Sequence, residues 1–435
     1  MSSLNTFSKI TAQTIAIARE MEQTPFYLYD EAQILEKCAA ALAMPNAFGL
    51  HVRYAMKANS TRRILRTIDR AGLYIDASSF NEARRAVLAG ILPEKIQLSS
   101  QEVPQGEERE NLEHLMLSGL RYNVCSLRQL YLVGDFAAKH GITLSIRVHP
   151  GVGSGESASR NTGDKYSCFG VHKSDISAAL AYAAQKGLRF TQVHDHIGSG
   201  GDPEIWRHNI DTMLGFINEF FPDAETVSFG GGLKEARLPG EVRADIQSLG
   251  EYAKQQITAF YKKTGRKLTA EIEPGTFIMA NAGYIVTQVL DAKSTGCDGF
   301  DFVILDGGME VNARPLLYGS SHPFYVVSGQ GELRSSDYAL PEGEILPEIV
   351  VAGRCCESGD CQTLNPRGEI NTRRMAQPQI GDSFVIGGAG AYCAAMTPFN
   401  YNSHVQAPEW LYTADGKLVC IRKAQTLAQI VANEV

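Results

Sequence analysis

Between Leu50 and Gly275, short runs of apolar, β-branched and aromatic residues recur between longer stretches whose apolar residues fall at helical spacing. The short runs are HVRYAMKAN from His51, LYIDASS from Leu73, KIQLSS from Lys95, LRYNVCS from Leu120, LSIRVHP from Leu144, FTQVHDHIGS from Phe190, TVSFGGG from Thr226 and LTAEIEPG from Leu268. Eight strands, each followed by enough chain for a helix, predict an α/β fold of the closed (β/α)8 barrel type. An open doubly wound sheet usually stops at about five to seven strands. The intervening helices carry ordinary start and stop signals. In SFNEARRAVLA, Ser79 precedes Glu82 at the spacing of a capping box, and Gly90 ends the helix.

After about Ala282 the helical spacing stops. The runs YIVTQVLDAK, FDFVILDGG, FYVV, EIVVAGRCC and DSFVIGG, separated by Gly, Asn, Asp and Pro, predict a second, mostly β domain of barrel or sandwich type. The last run, EWLYTADGKLVCIRKA, contains a hairpin turn at Ala414-Asp415-Gly416. TPFYLYD from Thr24 also reads as a strand, ahead of the barrel, and is expected to pair with the C-terminal strands. The predicted organisation is therefore a barrel over 36–282 and a discontinuous β domain over 1–35 and 283–435.

Composition narrows the function. With 435 residues, 44% hydrophobic and 20% charged, the chain has material for a sizeable core and no disordered character. A net charge of −7 argues against a phosphate-tracking surface, so no nucleic-acid partner is expected. No run approaches the roughly 18 apolar residues of a membrane span, and Met1–Phe7 lacks the layout of a secretory signal, so a cytoplasmic protein is expected. Nine scattered cysteines read as reduced thiols. Only Cys355, Cys356 and Cys361 cluster, without paired C-x-x-C spacing, and no metal is expected.

In a barrel, the C-terminal strand ends share one rim, and here that rim is rich in reactive side chains. It offers Lys57, Asp76 and Ser79, His149, His194, His196 and Ser199, the glycines Gly230 to Gly232, and Glu273. A partly desolvated lysine suits Schiff-base formation with an aldehyde. Three successive glycines expose backbone N–H groups, as a phosphate requires. Glu273 could keep a pyridine nitrogen protonated, and the flat ring of His196 could stack on it. Singly, each has a plainer explanation: a salt-bridge lysine, a tight turn, a hydrogen-bonded core histidine. Jointly they match what pyridoxal phosphate asks of a protein.

The wording of these segments, YAMKANS (54–60), HIGSG (196–200), SFGGGL (228–233), EPGT (273–276), CCESGD (355–360) and GAYCAAM (390–396), resembles the alanine-racemase-like class of pyridoxal-phosphate enzymes. Within that class CESGD and MEVNARPLLYGSSHP from Met309 resemble the diaminopimelate decarboxylases more than the ornithine-type ones. The resemblance runs from about Thr24 to the C-terminus and implies decarboxylation of meso-2,6-diaminopimelate to L-lysine. It implies that Lys57 carries the cofactor, that His196 stacks on its ring, and that Glu273 pairs with its nitrogen. Asp76 joins the cofactor set. Ser199, Gly230, Gly231, Gly232, Gly275 and Tyr392 would surround the phosphate. Arg314 and Tyr318 would take the far carboxylate of the substrate, with Tyr392 and Glu357 beside it. Cys356, as proton donor, and Glu357 would reach into a neighbouring subunit's site, which implies a functional homodimer.

Two departures stand out. Thr276 occupies the place where the family usually has arginine, and His404 lies in NYNSHVQAP where such sequences tend to be basic. A missing cation at a partly desolvated anion could cost about 2 to 5 kcal/mol, enough to change substrate preference. The alternatives are therefore a decarboxylase for another basic or conjugated amino acid and, more remotely, a cofactor-binding homologue without catalysis.

Overall fold

A computed structural model describes residues 10–153, 162–340 and 345–435. Met1–Phe7, read above for a leader, lie outside the described residues. The chain divides into two units. One spans Lys37–Lys234 and Val242–Phe277, and the other joins the described N-terminal residues through Glu36 with Glu235–Glu241 and Ile278–Val435. The short segment Glu235–Glu241, expected within the barrel, belongs to the second unit. There Arg237 Nε donates to Gly388 O (3.0 Å) and Asn281 Nδ2 to Ala236 O (2.7 Å).

After an N-terminal strand β1 (Phe26–Asp30), the first unit is a closed parallel barrel of eight strands. They are β2 (Leu50–Ala55), β3 (Tyr74–Ala77), β4 (Ile96–Leu98), β5 (Arg121–Val124), β6 (Leu144–Arg147), β7 (Phe190–His194), β8 (Thr226–Ser228) and β9 (Thr269–Ile272). The ring closes where Leu50 pairs with Ala270 and Val52 with Ile272. Seven fall inside the runs read from the sequence, and β2 begins one residue before its run. Each strand is shorter than its run because the chemically rich ends of the runs form the rim loops. Helix starts follow side-chain caps: Ser79 Oγ accepts from Glu82 N at 3.1 Å, and Ser126 Oγ from Gln129 N at 3.1 Å. The reciprocal half of the Ser79 box reaches one residue further back, with Ser78 N donating to Glu82 Oε2 at 2.7 Å. Gly90 takes φ +92° just beyond the helix, a conformation that costs glycine little.

The second unit holds a ten-stranded sheet with an open order. Its strands after β1 are β10 (Gly283–Ser294), β11 (Asp301–Leu305), β12 (Phe324–Val327), β13 (Leu333–Ser336), β14 (Glu348–Ala352), β15 (Arg373–Arg374), β16 (Ser383–Ile386), β17 (Glu409–Tyr412) and β18 (Leu418–Arg422). The main path runs β13-β12-β16-β10-β1-β17-β18, with β11, β14 and β15 continuing from β10. As TPFYLYD suggested, β1 lies between β10, antiparallel to it, and β17, parallel to it. The β17–β18 turn closes as read, with Thr413 N bonded to Lys417 O at 2.8 Å and Gly416 at φ +84°. β13 and β15 escaped the sequence reading: LRSS is polar, and β15 is two residues held by β14 alone. The core under the sheet is built on Ile10, Ile15, Phe26, Leu28, Tyr284, Val286, Val327 and Val385. No helix among the described residues is long and apolar enough to cross a membrane.

Candidate active site

Inside the barrel, polar side chains replace the branched apolar layers usual for this architecture. Arg53 Nε donates to Glu271 Oε2 (2.8 Å), and Gln192 Nε2 to Glu271 Oε1 (2.8 Å) and to Gln97 Oε1 (2.8 Å). Gln97 Nε2 in turn donates to Glu273 Oε1 (2.9 Å). A second chain runs from Ser145 Oγ to Asn123 Oδ1 (2.9 Å), from Asn123 Nδ2 to Ser99 Oγ (3.0 Å), and from Ser99 Oγ to Asp76 Oδ1 (3.0 Å). Because so many buried polar atoms are satisfied side chain to side chain, the rim groups above them are held in fixed rotamers.

Lys57 sits in the 3-10 turn Met56–Ala58 that ends β2, so its side chain leaves the strand at the rim. Its charge acts on Asp76, Glu273, His194 and His196 alike, lowering the pKa of each. Glu273, just past β9, is buried, and its second oxygen lies 3.0 Å from His194 Nε2. Burial, with Glu271 adding to it, pushes the Glu273 carboxyl up to about 8 against the pull of Lys57 and Arg147. Asp76 rises to about 7 for the same two reasons, burial and then the charge of Glu273. For Glu271 burial also raises the pKa, but Arg53 and Arg121 outweigh it and hold the group below its ordinary value. Burial and Arg147 bring His194 down to about 3, so it stays a neutral imidazole. The rim therefore carries two carboxyls whose ionisation burial makes costly.

The glycine triplet follows β8. Gly230 and Gly232 have φ +61° and +87°, and a Cβ on Gly230 would meet Asp195 O at 2.4 Å. On Gly231 a Cβ would meet Glu273 O at 2.9 Å. Two carbonyls of the triplet are engaged: Gly230 O accepts from Glu273 N (2.8 Å) and Gly231 O from Trp206 Nε1 (3.2 Å). No described residue accepts from its N–H groups, which leaves donors of the kind that hold a phosphate. His196 Nδ1 accepts from Gly198 N at 3.2 Å, which fixes the ring. Burial, with Lys57 next, keeps that ring well below its ordinary pKa and so neutral. Gly275 is buried and Ser199 half-buried on the same strand ends. Free N–H donors, an aromatic plane, a buried acid and a lysine all suit pyridoxal phosphate, and the residues present fit that group.

The remaining residues read from the sequence belong to the second unit. Arg314 and Tyr318 open and close one short helix, with the guanidinium 5.9 Å from the Tyr318 ring centroid. Arg314 is buried and donates to Ser320 Oγ (3.3 Å). Cys356 and Glu357 are both exposed. Cys356 N donates to Asn402 Oδ1 (2.8 Å), and Tyr401 OH lies 3.4 Å from Glu357 Oε2. Tyr392 takes a left-handed φ of +60°, a costly conformation for a side chain of its size.

Two residues of the rim set have other engagements. Ser79 is committed as a helix cap. His149 lines a cavity of about 450 Å³ with Lys165, Cys168, His172 and Lys173, and its ring meets that of His172 at 5.9 Å. Conversely, Gln97, Ser99, Asn123 and Arg147 take part in the site although the sequence reading passed them over. Their signal was period-two alternation within KIQLSS, LRYNVCS and LSIRVHP, which places polar residues on the inner face. Asp360 was also missed: it is buried and staples its loop by accepting from Met309 N (2.6 Å) and Cys355 N (2.7 Å).

Comparison with known proteins agrees with this geometry. The family described as "Pyridoxal-dependent decarboxylase, pyridoxal binding domain" matches residues 31–280. Diaminopimelate decarboxylase of Escherichia coli (strain K12) is 33% identical over 434 residues, covering 99% of this chain and 98% of that protein. A crystal structure of a diaminopimelate decarboxylase superposes with TM-score 0.87 at 32% identity, covering 100% of this chain and 99% of the other. The enzyme of Helicobacter pylori complexed with L-lysine gives TM-score 0.78 at 27% identity, covering 96% and 98% of the two chains.

Proposed function

The chain belongs to the pyridoxal-dependent decarboxylases, and from that premise we propose that it converts meso-2,6-diaminopimelate to L-lysine and CO₂. The observation that carries the reading is the convergence of Lys57, Glu273 and the glycine triplet on one barrel rim. Bound pyridoxal phosphate supplies an electron-poor ring that takes up the electron pair left when the substrate's Cα carboxylate departs.

The chain's own residues do the rest. Lys57 is the amine that would hold the cofactor and would yield its place to the amine of the substrate. Glu273 accepts from the ring nitrogen. Its oxygens are pinned by Gln97 and His194, so the acceptor is positioned before the cofactor arrives. Asp76 adds a second carboxyl to the same group, His196 stacks on the ring, and Ser199, Gly230, Gly231, Gly232, Gly275 and Tyr392 hold the phosphate. Arg314 and Tyr318 bind the far carboxylate. Cys356 delivers the proton that replaces CO₂, and Glu357 places the substrate. Both side chains are exposed in the single chain, which supports a homodimer in which each subunit completes its neighbour's site. The setting is cytoplasmic.

Thr276 favours a second reading, a decarboxylase for another basic or conjugated amino acid, because it is a half-buried hydroxyl where the family carries a cation. A substrate panel on the purified protein with added pyridoxal phosphate decides between them. CO₂ release from meso-diaminopimelate above that from lysine, ornithine or arginine upholds the first reading. Release from one of those others, with a gain for diaminopimelate in Thr276→Arg, upholds the second.

A further inference from the structure

Glu310, Cys355 and His404 are distant in the chain and belong to none of the groups placed above on the cofactor or substrate. Glu310 follows β11, Cys355 follows β14, and His404 precedes β17. The fold gathers them: a carboxylate oxygen, a thiol sulfur and an imidazole nitrogen all lie within 4.8 Å of one another. Glu310 and Cys355 are buried and His404 is half-buried. Cys355 Sγ donates to Glu310 Oε2 (3.4 Å), while the other oxygen of Glu310 is held by Arg354 Nε (2.9 Å).

We propose that Glu310, Cys355 and His404 form a binding site for a thiophilic divalent cation of the zinc class, with three protein ligands and a fourth position for water. The donor set decides the class of ion. One thiolate and one imidazole favour a borderline-soft cation over magnesium or calcium, which prefer oxygen throughout. The spacing suits it as well. Ligand bonds of about 2.0–2.3 Å around a tetrahedral centre set neighbouring donor atoms roughly 3.3–3.8 Å apart, within a small side-chain adjustment of the observed cluster.

Binding replaces the thiol proton. The S–H bond breaks, the proton passes to solvent, and the sulfur lone pair forms the metal bond. No oxidant or reductant takes part. The thiolate and the Glu310 carboxylate then balance the two charges of the ion, and Arg354 keeps its oxygen. The supporting shell is in place: Gly308 N donates to Glu310 Oε2 (2.9 Å), and Asp360 Oδ2 accepts from Cys355 N (2.7 Å). Through Asn402 and Tyr401, the segment that bears His404 also touches Cys356 and Glu357. An ion here would tie together the two segments that present the proposed proton donor.

The test uses the cofactor-loaded full chain, stripped with a chelator and dialysed against buffered zinc, with bound metal measured by elemental analysis and X-ray absorption. The expected result is one zinc per chain with a single sulfur neighbour. Cys355→Ser and His404→Gln should each weaken binding by about ten-fold or more, and Cys356→Ser should leave it intact. Absence of retained zinc in the wild type overturns the proposal. So does unchanged binding in both ligand variants, which would assign the metal to another thiol. Should Cys355→Ser fail to fold, the half-buried His404→Gln and the sulfur count still decide.

Discussion

The two units carry their chemistry in opposite ways. In the barrel, the two rim carboxyls are buried, stand at or just past strand ends, and are bonded to neighbouring side chains: Glu273 to Gln97 and His194, Asp76 to Ser99. In the β unit, Cys356 and Glu357 are exposed, and they and Tyr392 lie on loops and turns rather than strands. On the proposed function, the difference matches the part of the reaction assigned to each. A cofactor that stays needs a preorganised, desolvated seat. A proton donor and a substrate clamp must meet a molecule that comes and goes, and two exposed side chains acquire a partly buried setting only when something else covers them.

The sharpest way to break this contrast is Lys57→Ala. Decarboxylation should fall to background, and borohydride should no longer fix cofactor to the chain. If trapping persists, the barrel seat is misassigned. Cys356→Ala should lower kcat by about 10²–10⁴-fold while leaving borohydride trapping intact, because it removes proton delivery and not the seat. Mixing the two inactive variants under exchange conditions should restore roughly a quarter of the wild-type activity if each site draws on both subunits. Recovery of none would mean that the loop serves its own chain.

A smaller effect is expected at the staple of that loop. Asp360→Ala leaves the N–H groups of Met309 and Cys355 without their acceptor and should cost about 1–3 kcal/mol, read as a lower urea midpoint.

The smallest effect is the pH dependence of the cofactor-free protein. Asp76 and Glu273 are raised to about 7 and about 8, so the folded state holds more protons than the unfolded chain. Their contribution is complete at low pH and is lost as the pH rises to about 8. His194, lowered from 6.5 to about 3, acts the other way: its contribution is present above 6.5 and lost as the pH falls. The trends oppose one another between roughly pH 4 and 6.5, but two carboxyls outweigh one imidazole, so the melting temperature should fall gently there and more steeply from about 6.5 to 7, the decline ending near 8. Glu273→Gln should shallow that decline. An unchanged slope would remove Glu273 as its source.

Much of this was legible in the linear chain, for a physical reason. Strand and helix periods, glycine runs and caps are local, so the eight barrel strands, the hairpin at Gly416 and the Ser79 cap could be read directly. Lys57, His196, the glycine triplet and Glu273 were legible as a set because barrel topology sends every strand end to one rim. What only the tertiary structure decided depends on distance across the fold. The inner polar network joins residues more than a hundred positions apart, such as Gln97 and Glu273, and no local pattern announces which buried amide meets which acid. The short strands β13 and β15 exist because of their neighbours rather than their own residues. His149 turned out to line a cavity with Lys165, His172 and Lys173, and Glu310, Cys355 and His404 became a cluster only once the loops after β11 and β14 and the segment before β17 were folded together.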